Sequence, residues 1–170
     1  MEGMIAGRTA GDLPGLDMAE QRAWENYLES ALRMYAAVDR GLAATHDLTL
    51  VDVRLLELLD RSPTGTQRMG DLADELLALP SRVTRRIRRL ESMGLVERSS
   101  SLEDGRGVLA VITAEGREKI AKALMTYSQD VRTHFLSQLS RPQMAAMGES
   151  CRRIVAALRA SGAPDKFSHA

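Results

Sequence analysis

Apolar residues recur at three- and four-residue spacing along most of the chain, the mark of amphipathic helices. Trp24, Tyr27, Leu28, Ala31, Leu32, Tyr35 and Val38 make one such stripe, and Asp17 with Glu20 supplies a capping box at its start. A long helix is therefore predicted from about 17 to 45. Thr49 and Asp52 repeat the capping pattern ahead of Val53, Leu56 and Leu59, which predicts a second helix through Leu59. Residues 62–65 read as a turn, and a very short strand is expected at 67–69. Residues 70–77 follow as a short helix with Leu72, Ala73, Leu76 and Leu77 turned inward. Pro80 suits the first position of the next helix, where its missing N–H has no intrahelical bond to make. Met93-Gly94 closes that helix, the glycine serving as a left-handed cap.

The period then shortens. Residues 95–98 and 108–112 read as two strands of a hairpin, joined by a loop from Ser99 to Gly107 whose glycines, Gly105 and Gly107, permit a tight tip. Thr113 caps a long helix with Ile120, Leu124, Tyr127, Val131, Phe135 and Leu139 on its apolar side. Ser140 and Gln143 form a further capping box ahead of Met144, Met147, Cys151, Ile154, Val155 and Leu158. The expected fold class is mainly α with a small β-hairpin wing. A winged helix-turn-helix DNA-binding domain covers 48–113, flanked by long N- and C-terminal dimerisation helices at 17–47 and 114–160. Residues 1–16 are expected to form a disordered N-terminal arm and 161–170 a flexible tail. The terminal apolar stripes exceed what the middle can cover, so a homodimer is expected, which also supplies the two recognition helices that a two-fold operator needs.

The second motif helix carries the candidate chemistry. At about 100° per residue, Val83, Ile87 and Leu90 lie within about 60° of one another and make one buried stripe. Ser81, Thr84, Arg85 and Arg88 project from the opposite side, Arg82 and Arg89 from one flank, and Arg86 beside the stripe. Guanidiniums can bond guanine edges bidentately, and Arg, Ser and Thr can all hold phosphates, so this face suits the major groove. The formal net charge of zero announces no global nucleic-acid field. Between 81 and 98, however, six arginines stand against two glutamates, a local balance of +4. Local charge is what matters for phosphate, since charges more than roughly 8–10 Å apart are screened at physiological salt.

Composition excludes several classes. One cysteine, Cys151, rules out an intrachain disulfide or a cysteine zinc cluster, and His46, His134 and His169 show no ligand spacing. No Ser/His/Asp grouping or phosphate-cradling glycine loop is visible, so neither an enzyme nor a bound cofactor is expected. With no apolar run of membrane-spanning length and no signal pattern, a cytoplasmic chain without membrane partners is the expectation. Cys151, among Met147, Ile154 and Val155 at helical spacing, reads as a packed thiol.

From about Trp24 to Leu158 the chain resembles the MarR (multiple antibiotic resistance regulator) family of dimeric winged-helix transcription factors. The resemblance rests on Leu48-Thr49-Leu50, Leu72-Ala73, Val83-Thr84-Arg85, and Leu90-Glu91 through Gly94-Leu-Val-Glu-Arg98. The wing is the most specific part, Asp104-Gly-Arg106-Gly107 followed by Val111-Ile112-Thr113-Ala-Glu-Gly116. It implies a homodimer on pseudo-palindromic double-stranded DNA, with 81–89 in the major groove, Arg106 in the adjacent minor groove and Asp104 bracing it. It further implies a repressor modulated by a small, aromatic anionic effector, for which Trp24, His46, Arg54 and Met69 are the candidate ligand residues. Arg86 stands where the family usually has an apolar residue and is expected to reach toward phosphate, while Arg88 stands where an acid is common. The absence of a cysteine before 151 argues against peroxide sensing through an N-terminal thiol, and Arg54 argues against urate. A winged-helix protein-interaction module and a ligand-independent DNA-binding regulator are the alternative readings.

Overall fold

The structure, a computed structural model, describes residues 13–100 and 108–161. It divides into two units, one ending at Ala36 and the other beginning at Ala37. In the first, a turn with Gly15 at φ 88° leads into α1 (Met18–His46). Asp17 Oδ1 accepts the N–H groups of Ala19 and Glu20 at 2.7 and 2.9 Å, and Glu20 Oε2 accepts the Asp17 N–H at 2.8 Å, so the capping box forms in both directions. Trp24, Tyr27, Leu28, Leu32 and Tyr35 all stay exposed.

The second unit holds the core. The last turns of α1 contribute Val38 and Leu42, and α2 (Leu50–Arg61) contributes Val53, Leu55, Leu56 and Leu59. The Thr49–Asp52 box opens α2 as its residues predict. β1 (Thr66–Arg68) leads directly into α3 (Met69–Glu75), then come α4 (Pro80–Ser92), β2 (Val96–Ser100) and β3 (Val108–Ile112). The strands form one antiparallel sheet in the order β1-β3-β2, with Thr66 opposite Val111 and Val96 opposite Ile112. Alternation places Ala110 and Ile112 of β3 in the core. α5 (Ala114–His134), a short 3₁₀ turn (Leu136–Gln138) and α6 (Arg141–Ala160) complete the unit. The Ser140–Gln143 box opens α6.

Several boundaries differ from expectation: α2 runs on to Arg61, and β1 sits one residue earlier so that Met69 opens α3. α3 stops at Glu75, and Leu77 turns outward at 55% exposure instead of packing inward, because it takes the left-handed position that ends the helix (φ 49°). Leu76 is only half-buried. Leu95 precedes β2 while Ser99 and Ser100 belong to it, since the ladder with β3 continues to the Ser100–Val108 pair. α5 ends at His134, so Phe135 and Leu139 are not part of its stripe. The wing-loop positions Asp104, Gly105, Arg106 and Gly107, residues 1–12 of the expected arm and 162–170 of the expected tail lie outside the described residues.

The start of α5 is where helix, wing and motif meet. Thr113 accepts the Gly116 N–H at 3.0 Å, donates its hydroxyl to the Gly94 carbonyl at 2.7 Å, and donates its N–H to the Leu95 carbonyl at 3.1 Å. Gly116 packs so tightly here that an added Cβ would lie 2.2 Å from the Leu95 carbonyl oxygen and 2.8 Å from Ile112 Cγ1. Because one of these neighbours is backbone, the site cannot yield cheaply. Gly116→Ala should therefore lower the unfolding free energy by about 1–3 kcal/mol; urea denaturation followed by circular dichroism measures it.

Candidate nucleic-acid interface

α4 begins with Pro80 at its first turn and ends in a left-handed cap. Gly94, at φ 73°, donates its N–H to the Glu91 carbonyl at 2.9 Å, and Leu95 donates to the Leu90 carbonyl at 2.9 Å. Val83, Ile87 and Leu90 are buried, as their spacing predicts. Ser81, Arg82, Arg85 and Arg88 are exposed, and Thr84, half-buried, donates its hydroxyl to the Pro80 carbonyl at 2.9 Å. Among the described residues, Arg82, Arg85 and Arg88 have no carboxylate partner.

The neighbouring arginines, each about one-third exposed, pair with groups of the chain itself. Arg89 donates Nη1 to Asp52 Oδ2 at 3.0 Å and Nη2 to the carbonyl and Oδ1 of Asp47 at 2.8 and 3.0 Å. Arg86, expected to reach toward phosphate, donates Nη1 to Thr49 Oγ1 at 3.2 Å in the single chain and lies 3.6 Å from Asp52 Oδ1. Arg98 of β2 donates Nε to Glu91 at 2.8 Å and so ties the wing to α4. Asp52 was legible in the sequence as a capping residue only. Its partners on α4, Arg86 and Arg89, lie 34 and 37 residues away, and local spacing carries no signal of that.

A crevice of about 500 Å³ opens where α3, α4 and the wing meet, lined by Arg68, Met69, Asp71, Thr84, Arg88 and Arg98 among others. Of the four candidate ligand residues, Met69 lines it; His46 and Arg54 do not. His46 Nε2 lies 2.8 Å from Thr126 Oγ1 on α5, and its pKa is lowered by burial first and by nearby Lys119 second. Arg54 is bonded to Glu57, which also receives Arg61 at 2.6 Å. Trp24 lies exposed on the first unit's stretch of α1, its ring 5.9 Å from that of Tyr27. Among the described residues no cluster of three or more His, Cys, Asp or Glu could hold a metal, and no helix is long and apolar enough to cross a membrane.

The sequence model of the MarR family matches residues 48–108. The uncharacterized HTH-type transcriptional regulator YfiV of Bacillus subtilis is 36% identical over 78 residues, 46% of this chain. That match spans about half, 47%, of the length of YfiV. The HTH-type transcriptional repressor Rv2887 of Mycobacterium tuberculosis is 31% identical over 96 residues, covering 56% of this chain and 67% of the relative. Among solved structures, Sco3205 from Streptomyces coelicolor, a MarR family transcriptional regulator crystallised with DNA, matches with a TM-score of 0.80 at 31% identity. The alignment covers 84% of this chain and 93% of Sco3205.

Proposed function

Because the chain belongs to the MarR family of winged-helix transcriptional regulators, we propose that it is a sequence-specific repressor that binds double-stranded DNA as a homodimer. The observation that carries this reading is the outward face of α4. Ser81, Arg82, Arg85 and Arg88 stand exposed there, opposite a stripe that seats the helix in the core. Arg85 and Arg88 then address base edges in the major groove, while Ser81 and Arg82 hold the phosphates beside them and Thr84 joins them by turning its hydroxyl from the Pro80 carbonyl. Arg106, with Asp104 beside it in sequence, is assigned to the minor groove through the family resemblance. A slim wing can place one guanidinium where a narrow A·T groove concentrates negative potential.

Residues 48–113 form the DNA-binding part in this reading, and the helices of 17–47 and 114–160 the dimerisation part. The apolar positions Trp24, Tyr27, Leu28, Leu32 and Tyr35 on α1, and Ile154, Val155 and Leu158 on α6, are each exposed in the single chain. A second copy is the occupant that would cover them and present two recognition helices about 34–36 Å apart. Acting on chromosomal DNA, the protein works in the cytoplasm. A small anionic effector fits the crevice at the wing, because Thr84 and Arg88 line it and also belong to the DNA-facing set. Occupancy there and DNA binding would compete for the same groups, and that competition gives the ligand its differential affinity for the free protein.

Footprinting on the chain's own upstream region, followed by gel-shift titration, tests the reading. Arg106→Ala should weaken operator binding at least tenfold, about 1.4 kcal/mol; an unchanged isotherm removes the wing from the interface. Arg85→Ala should flatten discrimination between operator variants at one base pair per half-site, a loss of about 1–3 kcal/mol there. Equal losses on every duplex would reassign Arg85 to the phosphates. In sedimentation equilibrium the native chain should be a dimer, and Leu158→Arg should shift it to monomer and weaken operator binding with it.

A further inference from the structure

α4 packs five arginines into thirteen residues, and this density creates a problem of selectivity. Phosphates are the same at every base pair, so each guanidinium that reaches the backbone adds affinity for any duplex and none for the right one. We propose that Asp52 is a positioning residue that determines specificity, holding Arg86 and Arg89 off the DNA backbone so that phosphate attraction comes from the outward arginines alone. The proposal rests on the DNA-binding reading of α4.

The geometry of Asp52 exceeds what a helix cap needs. Its Oδ2 accepts the Thr49 N–H at 2.9 Å and the Thr49 hydroxyl at 2.7 Å, which completes the cap. The same oxygen also takes Arg89 Nη1 at 3.0 Å, while Oδ1 lies 3.6 Å from Arg86 Nη1 and has no hydrogen bond of its own. Elsewhere in this chain the equivalent cap uses a neutral residue: Gln143 takes the Ser140 N–H at 2.8 Å and its hydroxyl at 2.9 Å. A charge is therefore not required to start such a helix, yet the one at position 52 is fully buried. A buried carboxylate is costly unless cations meet it, and the two that do both come from the recognition helix. Asp47 completes the clamp from a left-handed backbone conformation at φ 55°, offering Arg89 both its carbonyl and its Oδ1. In helical phase positions 86 and 89 lie about 60° apart on the flank that meets Thr49 and Asp52 at the start of α2, a flank that Arg82 shares nearer the beginning of α4.

Full-length D52N and R86Q, beside the native chain, should be titrated by fluorescence anisotropy against the footprinted operator duplex and a scrambled duplex of equal composition, from low to physiological salt. D52N should steepen the slope of log affinity against log salt on the scrambled duplex by about 0.9 for each arginine released. The operator-to-scrambled affinity ratio should fall with it. A side chain that merely supported the fold would weaken both duplexes and leave the slope alone, so an unchanged slope overturns the assignment. R86Q keeps the Arg89–Asp52 pair and should retain the native slope on both duplexes. A decrease of about 0.9 would mean that Arg86 touches phosphate, which also overturns it. Should D52N fail to fold by circular dichroism, R86Q decides alone. A native chain with no salt-dependent binding to either duplex overturns the DNA-binding reading and this assignment together, whereas a binding native chain with an unmoved D52N slope overturns the assignment only.

Discussion

A helix that must offer most of its polar circumference to another molecule can be held by its own protein only along one narrow strip. For α4 that strip is Val83, Ile87 and Leu90, three side chains whose burial stabilises by roughly 1.5–3 kcal/mol each. Three contacts in a row fix a helix against sliding but do little to stop it rolling about its long axis. The remaining constraints therefore come from its ends and flank: Pro80 at the start, the Gly94 cap at the finish, Arg98 gripping Glu91 from the wing, and Asp52 drawing on Arg86 and Arg89. The packing scheme and the free outward face are two aspects of one solution.

What the sequence made legible was local. The reciprocal caps at Asp17, Thr49 and Ser140 stand where their residues place them, because a capping box is written within four consecutive positions. The stripe of α4 was equally plain, since a helical period on a strongly amphipathic segment admits one phase. Leu77 misled because an apolar residue in an apolar context gives no sign that the backbone must turn left-handed beneath it; glycine would have announced the turn. β1 was visible as an element, but its place beside β3 instead of β2 is a long-range pairing that a three-residue strand cannot encode.

The candidate site was legible to the same extent and for the same reason. Which arginines face outward follows from helical phase, but which are already held by a carboxylate more than thirty residues upstream does not. The ligand candidates Trp24, His46, Arg54 and Met69 came from the family resemblance; in the single chain His46 meets Thr126, Arg54 meets Glu57 and Met69 lines the wing crevice, contacts that helical spacing does not announce.

Thr113 joins three elements at one point. Through its hydroxyl and its N–H it fastens the finish of α4, the returning strand of the wing and the first turn of α5 into a single knuckle, and Gly116 leaves that knuckle no slack. α5 is a shaft of twenty-one residues, about 30 Å long, with this knuckle at one end. A tilt of the shaft about this knuckle would therefore carry the finish of α4 and the base of the wing with it as one piece.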